Sequence, residues 1–234
     1  MKISMKKIAA ALCAVAAAIS LGGCGALSSM LAGGFDASGY VQGILDSTYK
    51  GVYDKYMETT DATEEEAEEG FEAGLEVEAN YLAQYLSFGD YFASDEMDPD
   101  LKQEMVDYYR ELYSHSQYEV GEAIKTDSGY NVEVKVQPIN ILNDAMDDLT
   151  AYLDDFTARA DNGEFDAMTD AEFYKTYGEG AMEILNSWMD RFTYGDEFYK
   201  VLQDHTSEEQ WKPGEAPSLY VLISDPAVEW PEWR

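Results

Sequence analysis

The residues with the most specific chemistry in this chain lie close to its N-terminus. Leu21-Gly22-Gly23-Cys24 places a thiol directly after small residues. The motif follows three lysines in the first seven residues and an apolar run from Ile8 to Ile19, which is too short to span a bilayer as a helix. This order is typical of a bacterial lipoprotein signal peptide, in which the cysteine thiol receives a diacylglyceryl group and the preceding segment is removed. We therefore predict a signal peptide over residues 1–23 and lipidation of Cys24.

A diacylated Cys24 would be a sufficient membrane anchor. Each buried methylene contributes about 0.8 kcal/mol, so stable residence at a membrane takes two acyl chains, and a spanning helix is not needed. We expect the protein at the cell membrane, lipid-anchored on the extracytoplasmic face. Residues 24–36 contain Ser28-Ser29 and Gly33-Gly34 and are predicted to be a flexible tether.

The charge of the chain is strongly negative. It has 15 Lys and Arg against 47 Asp and Glu, a net charge of −32. Removal of residues 1–23 takes away three lysines, which leaves 12 basic against 47 acidic residues and a charge near −35. Such a charge repels phosphates and anionic head groups, so nucleic-acid binding and electrostatic membrane binding are excluded. The expected partners are the membrane, through the lipid, and an envelope protein, peptide or glycan.

Residues for nucleophilic or metal chemistry are scarce. Cys13 leaves with the signal peptide and Cys24 carries the lipid, so no disulfide, thiol nucleophile or thiolate metal site is expected. His115 and His205 are the only histidines, and neither has a ligand spacing. His115 is interpreted as a polar residue at a helix end. No Gly-x-Ser-x-Gly and no Ser-x-x-Lys motif is assigned, so no serine nucleophile is predicted.

The abundant carboxylates leave one enzymatic alternative open. Glycoside hydrolysis needs only two carboxylates at a set separation, and 47 acidic residues allow such a pair. The glutamates of residues 64–69 are predicted to form the outer face of a helix. Residues 161–166 resemble a loop but lack the twelve-residue EF-hand spacing, and we interpret them as a helix stop followed by a turn. No catalytic, metal or cofactor-binding residue is predicted, and no cofactor.

Aromatic residues are numerous, with 18 Tyr, 9 Phe and 4 Trp. Most share helix faces with aliphatic residues and are predicted to be core. Trp230 and Trp233, at the end of the chain, are less easily buried. They are predicted either to fasten the tail onto the domain or to offer a stacking surface to a sugar or peptide. The aromatics assigned to helix faces are Tyr81, Tyr85, Tyr91, Phe92, Tyr108, Tyr109 and Tyr113.

The elements that must position these residues are mostly amphipathic helices, because apolar residues recur at three- and four-residue spacing. One β-hairpin stands out, with Tyr118–Thr126 and Tyr130–Gln137 flanking Asp127-Ser128-Gly129. The first predicted helix starts near Ala37 and has Gly51 as a weak point before Val52, Tyr53 and Tyr56. The other predicted helices run from a Thr63 capping box to Phe88 with Gly89 as the closing residue, from Asp98-Pro99 to Leu112, from Ile141 to Asn162-Gly163, and from a Thr169 capping box to Phe192.

This order of elements predicts an α+β fold, with amphipathic helices packed on a small antiparallel sheet. It suggests a helix-helix-β unit used twice, over residues 37–140 and 141–234, as two units or as one domain. In the second unit, Phe198–Leu202 and Leu219–Ile223 are predicted strands that pair near Trp211. The NTF2-like and cystatin-like cones, in which helices lean on a curved sheet, are alternatives.

Several short motifs carry a family resemblance. They are Tyr40–Asp46 with Tyr49-Lys50-Gly51 and Tyr56, then Tyr118-Glu119-Val120, Gly129–Val132 and Val136–Ile139. With them the chain resembles a family of uncharacterised lipoproteins of Gram-positive bacteria. The resemblance implies an export-anchored α+β domain of unknown role, and it brings no catalytic residues.

The leading hypothesis is a lipid-anchored, non-enzymatic module that binds a partner or ligand at the cell envelope. The alternative is an envelope enzyme that hydrolyses glycan through paired carboxylates. A cleft with two acidic side chains whose pKa values shift in opposite directions would favour the enzyme. The substrate-binding subunit of an importer is disfavoured, because no alternating series of strands and helices is present.

Overall fold

A computed structural model describes residues 36–126 and 129–205, and within these ranges the protein has the α+β fold predicted from the sequence. Its strands are β1 (Gln117–Thr126), β2 (Gly129–Gln137) and β3 (Phe198–His205). Its helices are α1 (Ala37–Lys50), α2 (Asp54–Thr59), α3 (Glu64–Tyr85), α4 (Gly89–Phe92), α5 (Pro99–Ser114), α6 (Ile141–Asp144), α7 (Met146–Asp161) and α8 (Asp170–Trp188). Within these ranges, no helix combines the length and the apolar character needed to cross a bilayer.

The helix starts predicted from capping residues are confirmed. Thr63 Oγ1 accepts a hydrogen bond from the Glu66 amide at 3.2 Å, and the Glu66 carboxylate accepts one from the Thr63 amide at 2.9 Å. Thr169 and Glu172 form the same reciprocal capping box at the start of α8. These bonds satisfy backbone donors that have no partner inside a helix, so the sequence sets the start of each helix locally.

The helix ends follow the predictions less closely. Gly89 does not close α3, as was predicted, but begins α4. The chain turns instead at Ser87, which has a positive φ of 68°. Gly89 is needed for a close approach, because a Cβ there would lie 2.5 Å from Gln84 Cγ. The helix predicted to run unbroken from Ile141 is interrupted at Ala145, which separates α6 from α7.

The sheet is antiparallel with the strand order β1-β2-β3. The predicted hairpin is confirmed, with Val120 opposite Val134 and a shift of register just after Val120. At this irregularity Ser38 Oγ of α1 donates a hydrogen bond to the Gly121 carbonyl at 2.9 Å. Helix α1 is therefore tied to the sheet at the point where the regular pairing is disturbed.

Strand β3 pairs with β2, so the strand predicted over Phe198–Leu202 is confirmed but joins the hairpin. An isolated bridge between Ile139 and Tyr194 leads into this pairing. The other predicted strand, Leu219–Ile223, and Trp211 lie outside the described residues. Strands from both predicted segments, 37–140 and 141–234, thus belong to one sheet.

Two hydrophobic clusters stabilise the described residues. We call the smaller one the sheet core, because α1 packs there on one face of the sheet through Ala37, Val41, Leu45 and Tyr49 against Val132, Val134 and Val136. The larger one, the helical core, is built from helices of both predicted segments. Tyr113 packs against both clusters. Members of the helical core include Leu75, Leu82, Met105, Ile141, Ala181, Met182 and Leu185.

Candidate functional site

A buried carboxyl lies inside the helical part of the structure. Glu78 is only 5 % exposed, although its helix α3 carries exposed glutamates elsewhere. It stands three residues after Leu75 and four before Leu82, both of which are buried. Burial disfavours the charged form of a carboxyl and raises the pKa of Glu78 to about 7. The group therefore exchanges its proton close to neutral pH.

Glu78 is not among the site residues predicted from the sequence, although the sequence carries a signal for it. The apolar stripe of α3 contains Phe71, Leu75 and Leu82, and the step from Leu75 to Leu82 skips one position of the stripe. Helical spacing places Glu78 in that gap, on the same face. A charged residue at a stripe position predicts either a break in the core or a buried ionisable group, and here it is the latter.

The Glu78 carboxyl has a single described hydrogen-bond donor, the Tyr113 hydroxyl of α5. This bond lowers the pKa of Glu78, although by less than burial raises it. The Oε1 atom of Glu78 is buried and has no hydrogen-bond partner among the described residues. A buried carboxylate with one unpartnered oxygen is costly, whereas the protonated acid carries no net charge to desolvate.

Tyrosine rings connect this carboxyl with the sheet, and we call the set Tyr49, Tyr109, Tyr113 and Tyr118 the tyrosine junction. The Tyr113 ring centroid lies 5.0 Å from that of Tyr49 and 5.6 Å from that of Tyr109, both edge to face. The Tyr49 ring in turn lies 6.2 Å from that of Tyr118 on β1. Such edge contacts orient the rings as well as burying them. The junction links α3, α5, α1 and β1 in one series of contacts.

The far end of the tyrosine junction is partly exposed and charged. The Tyr118 hydroxyl donates a hydrogen bond to Asp46 Oδ1 at 2.6 Å. Burial first, and this bond second, raise the pKa of Tyr118 well above its ordinary value. Lys50 Nζ lies 4.2 Å from the centroid of the Tyr118 ring and 4.0 Å from Asp46 Oδ1. Tyr118 is therefore a neutral donor at ordinary pH.

A Ser-x-x-Lys spacing does occur, at Ser47 and Lys50 in α1, so its exclusion at the level of sequence was wrong. Ser47 is buried, and its Oγ donates to the Ile44 carbonyl at 3.0 Å within the same helix. Lys50 is directed to Asp46 and Tyr118. Hydroxyl and amine are thus both engaged elsewhere, and the spacing serves packing rather than nucleophilic catalysis.

Of the candidate residues from the sequence, Cys24, Trp230 and Trp233 lie outside the described residues. His115 follows the last turn of α5, where its Nε2 is 3.3 Å from Glu111 Oε1 and its ring packs on Phe192. This agrees with its interpretation as a polar residue at a helix end. His205 is the last residue of β3, of which only the backbone is described.

The described carboxyls whose pKa values are lowered all have structural roles. Each caps a helix or belongs to an ion pair, as Glu72 does with Arg110 at 2.6 Å. Across residues 36–126 and 129–205, no group of three or more His, Cys, Asp or Glu could hold a metal ion. The lowered group comprises Asp36, Glu66, Glu72, Asp98, Glu164 and Glu172.

The acidic segments and four of the seven aromatics occupy the positions predicted for them, whereas Tyr81, Tyr85 and Tyr113 are only partly buried. Residues 64–66 and 68–69 are exposed glutamates on α3. Helix α7 ends at Asp161, Gly163 has a φ of 79°, and Glu164 pairs with Arg159 at 2.7 Å, so residues 161–166 are a helix stop and a turn. The aromatics confirmed as buried core are Tyr91, Phe92, Tyr108 and Tyr109.

Comparisons of the chain with protein-family models, with curated proteins and with solved structures find no match.

The chemistry of the site itself is the gain and loss of a proton at Glu78, which is buried between helices. A group this deeply buried has no direct access to a large substrate. What it can change is the packing around it, because ionisation makes its present environment unfavourable.

Proposed function

We propose that this protein is a lipid-anchored, non-enzymatic binding module on the extracytoplasmic face of the cell membrane. The observation that carries the proposal is the order of residues at the N-terminus, where Leu21-Gly22-Gly23-Cys24 follows lysines and a short apolar run. The lipid on Cys24 holds the domain at the membrane, and the domain binds an envelope protein, peptide or glycan.

The position of the first helix agrees with an anchor at Cys24. Helix α1 begins at Ala37 and is capped by Asp36, whose carboxylate accepts from the Gly39 amide at 2.8 Å. Asp36 lies twelve positions after Cys24. Such a length of chain reaches at most ~40 Å when fully extended. The anchored domain can therefore stand clear of the lipid head groups, which its negative charge also favours.

The use of the described carboxyls supports binding over catalysis. Those whose pKa values are lowered cap helices or form ion pairs, and the strongly raised one, Glu78, is buried among apolar side chains. Carboxylate-based glycan hydrolysis needs an acid and a second carboxylate on either side of a substrate. Trp230 and Trp233 remain the candidate surface for stacking on a sugar or peptide.

Labelling in cells tests the anchor. Cells grown with a fatty-acid analogue are expected to label the wild-type protein and a Cys13→Ser variant equally, and to leave Cys24→Ser unlabelled. The Cys13→Ser protein is a matched control, because it lacks the other cysteine of the chain. Equal labelling of Cys24→Ser would overturn the anchor, and so would a mature form that carries an unmodified thiol.

A cell-wall assay distinguishes the binding module from the hydrolase. Purified protein is incubated with isolated cell-wall glycan, and soluble reducing ends are measured over time. We expect no release above that of a heat-inactivated sample. Release of reducing ends in proportion to protein concentration would contradict the non-enzymatic proposal and leave the anchor unaffected.

A further inference from the structure

The two hydrophobic clusters meet at one side chain. Within the part of the chain that the structure describes, Tyr113 is the only hydrophobic residue packed against both the sheet core and the helical core. Its ring touches Tyr49, a buried member of the sheet core, while its hydroxyl bonds Glu78 on α3. The position of Tyr113 thus affects how α1 and the sheet sit on the helices.

An ionised Glu78 would be poorly compensated in this place. Its Oε1 atom lacks a hydrogen-bond partner among the described residues, and only burial and Tyr113 are causes of its pKa shift. Helices α1, α2, α4 and α5 pack against α3. The cations that these four helices carry are engaged with carboxylates other than Glu78, namely Lys50 with Asp46, Lys55 with Asp36 and Glu58, Lys102 with Glu76, and Arg110 with Glu72 and Asp107.

The other ionisable groups on these four helices supply no positive charge either. Their buried and half-buried members are tyrosines, apart from Asp46, which accepts from Tyr118 and Gln42. Their remaining acids are exposed. The tyrosines are Tyr40, Tyr49, Tyr56, Tyr91, Tyr108, Tyr109 and Tyr113, and the exposed acids are Asp54, Glu58, Asp90, Asp100, Glu104, Asp107 and Glu111.

We propose that the Glu78–Tyr113 contact is a proton-controlled latch: protonated Glu78 keeps α1 and the sheet packed on the helical core, and loss of the proton loosens this packing. A carboxylate gains hydration only if water enters between α3 and α5, next to Tyr113. The sheet core is the cluster whose packing opens, because it contains fewer buried residues than the helical core. The latch is independent of the lipid anchor and of the partner that the module binds.

The direction of the pH dependence follows from proton binding. Glu78 has a pKa of about 7 in the folded protein against an ordinary value of 4.5, so between these values the folded protein retains a proton that an opened form releases. Packing is therefore strongest below pH 4.5, weakens as pH rises towards 7, and changes little above it. Between pH 5 and pH 8 the equilibrium constant for opening is expected to rise roughly 50- to 100-fold.

Hydrogen exchange of the backbone amides of α1 tests the latch. The full-length chain in mild detergent is measured at pH 5 and pH 8, with rates corrected for intrinsic exchange. We expect protection of α1 to fall at pH 8 in the wild type and in Glu69→Gln, and to stay high in Glu78→Gln. Glu69 is a matched control, since it is an exposed glutamate of the same helix. An equal fall in Glu78→Gln, or no fall in the wild type, would overturn the proposal.

A second variant keeps the latch testable if Glu78→Gln does not fold. Tyr113→Phe removes the donor that lowers the pKa of Glu78, so the pH midpoint of α1 loosening is expected to move upward. A purely structural role of Tyr113 would weaken α1 equally at all pH values and leave the midpoint unchanged. Carbon-13 NMR of the glutamate carboxyls gives a direct reading, and titration of every glutamate near 4.5 would refute the latch.

Discussion

The hydroxyl of Tyr113 on α5 donates a hydrogen bond to the buried carboxyl of Glu78 on α3. The same tyrosine packs against both hydrophobic clusters. One side chain therefore contacts the titrating carboxyl of Glu78 and also lies at the boundary between the sheet core and the helical core. The hydrogen bond lies in apolar surroundings, where removal of one partner leaves the other without a hydrogen bond and lowers the free energy of unfolding. The contribution of this hydrogen bond to stability can therefore be measured with variants of Tyr113.

Loss of the Tyr113 hydroxyl is expected to destabilise the protein most at alkaline pH. Tyr113→Phe should lower the free energy of unfolding by roughly 1–3 kcal/mol at pH 8, because hydrogen bonds to charged groups are the stronger ones. Urea unfolding followed by circular dichroism measures the change. Tyr81→Phe, on the same helix as Glu78, should be close to neutral. Equal losses in both variants at pH 8 would contradict the assigned bond.

Close contact between α1 and α2 should make Gly43 intolerant of a side chain. A Cβ at Gly43 would lie 2.6 Å from the Tyr56 backbone nitrogen and 2.8 Å from the Lys55 carbonyl carbon. Backbone atoms cannot turn away as a side chain can, so Gly43→Ala is expected to cost about 1–3 kcal/mol.

Gly74→Ala is the matched control for this substitution. Gly74 lies within α3, and a Cβ there would have no atom within 4 Å. Alanine should stabilise the helix by up to ~1 kcal/mol through its higher helix propensity. Thermal unfolding of the two variants should thus move the melting temperature in opposite directions. A rise for Gly43→Ala would show that the two helices are not in contact.

Removal of a capping residue should weaken α8 at its start. Thr169 Oγ1 accepts from the Glu172 amide at 3.2 Å, and its own amide donates back to the Glu172 carboxylate at 2.8 Å. Thr169→Ala is expected to cost about 1 kcal/mol in urea unfolding. Thr176→Ala, in the same helix, removes only a bond to the preceding turn and should change stability little. Similar effects for both would argue against the capping box.

The loss of stability at acidic pH should depend on Asp98. Its pKa is lowered from 3.8, chiefly by the bond from Lys175 at 2.6 Å and then by the Leu101 amide. The contribution of Asp98 is therefore present above pH 3.8 and lost as pH falls through its lower folded value.

Asparagine at position 98 separates the two roles of this residue. Asp98→Asn retains an N-cap acceptor but loses the charge that attracts Lys175, so its stability should fall less on acidification than that of the wild type. Urea midpoints measured across the acid range test this, with Asp100→Asn as the exposed neighbouring control. If Asp98→Asn lost as much stability on acidification as the wild type, the assignment of the lowered pKa to Lys175 would be contradicted.

Part of the candidate site was within reach of the sequence. Helical spacing places Glu78 on the same face as Leu75 and Leu82, so the sequence is sufficient to predict an ionisable group inside the apolar stripe. Its depth of burial and its bond to Tyr113 could not, because both depend on how α5 and α1 close over α3. The lipidation of Cys24 stays a prediction from its motif.

What the sequence alone determined is local. The capping boxes at Thr63 and Thr169 and the hairpin before Pro138 depend on residues a few positions apart, and the structure has them as predicted. Tertiary structure decided the break at Ser87, the addition of β3 to the hairpin, and the closure around Glu78. The physical reason is range: caps and periodicity act within one or two turns, whereas strand pairing and burial depend on segments far apart in the chain.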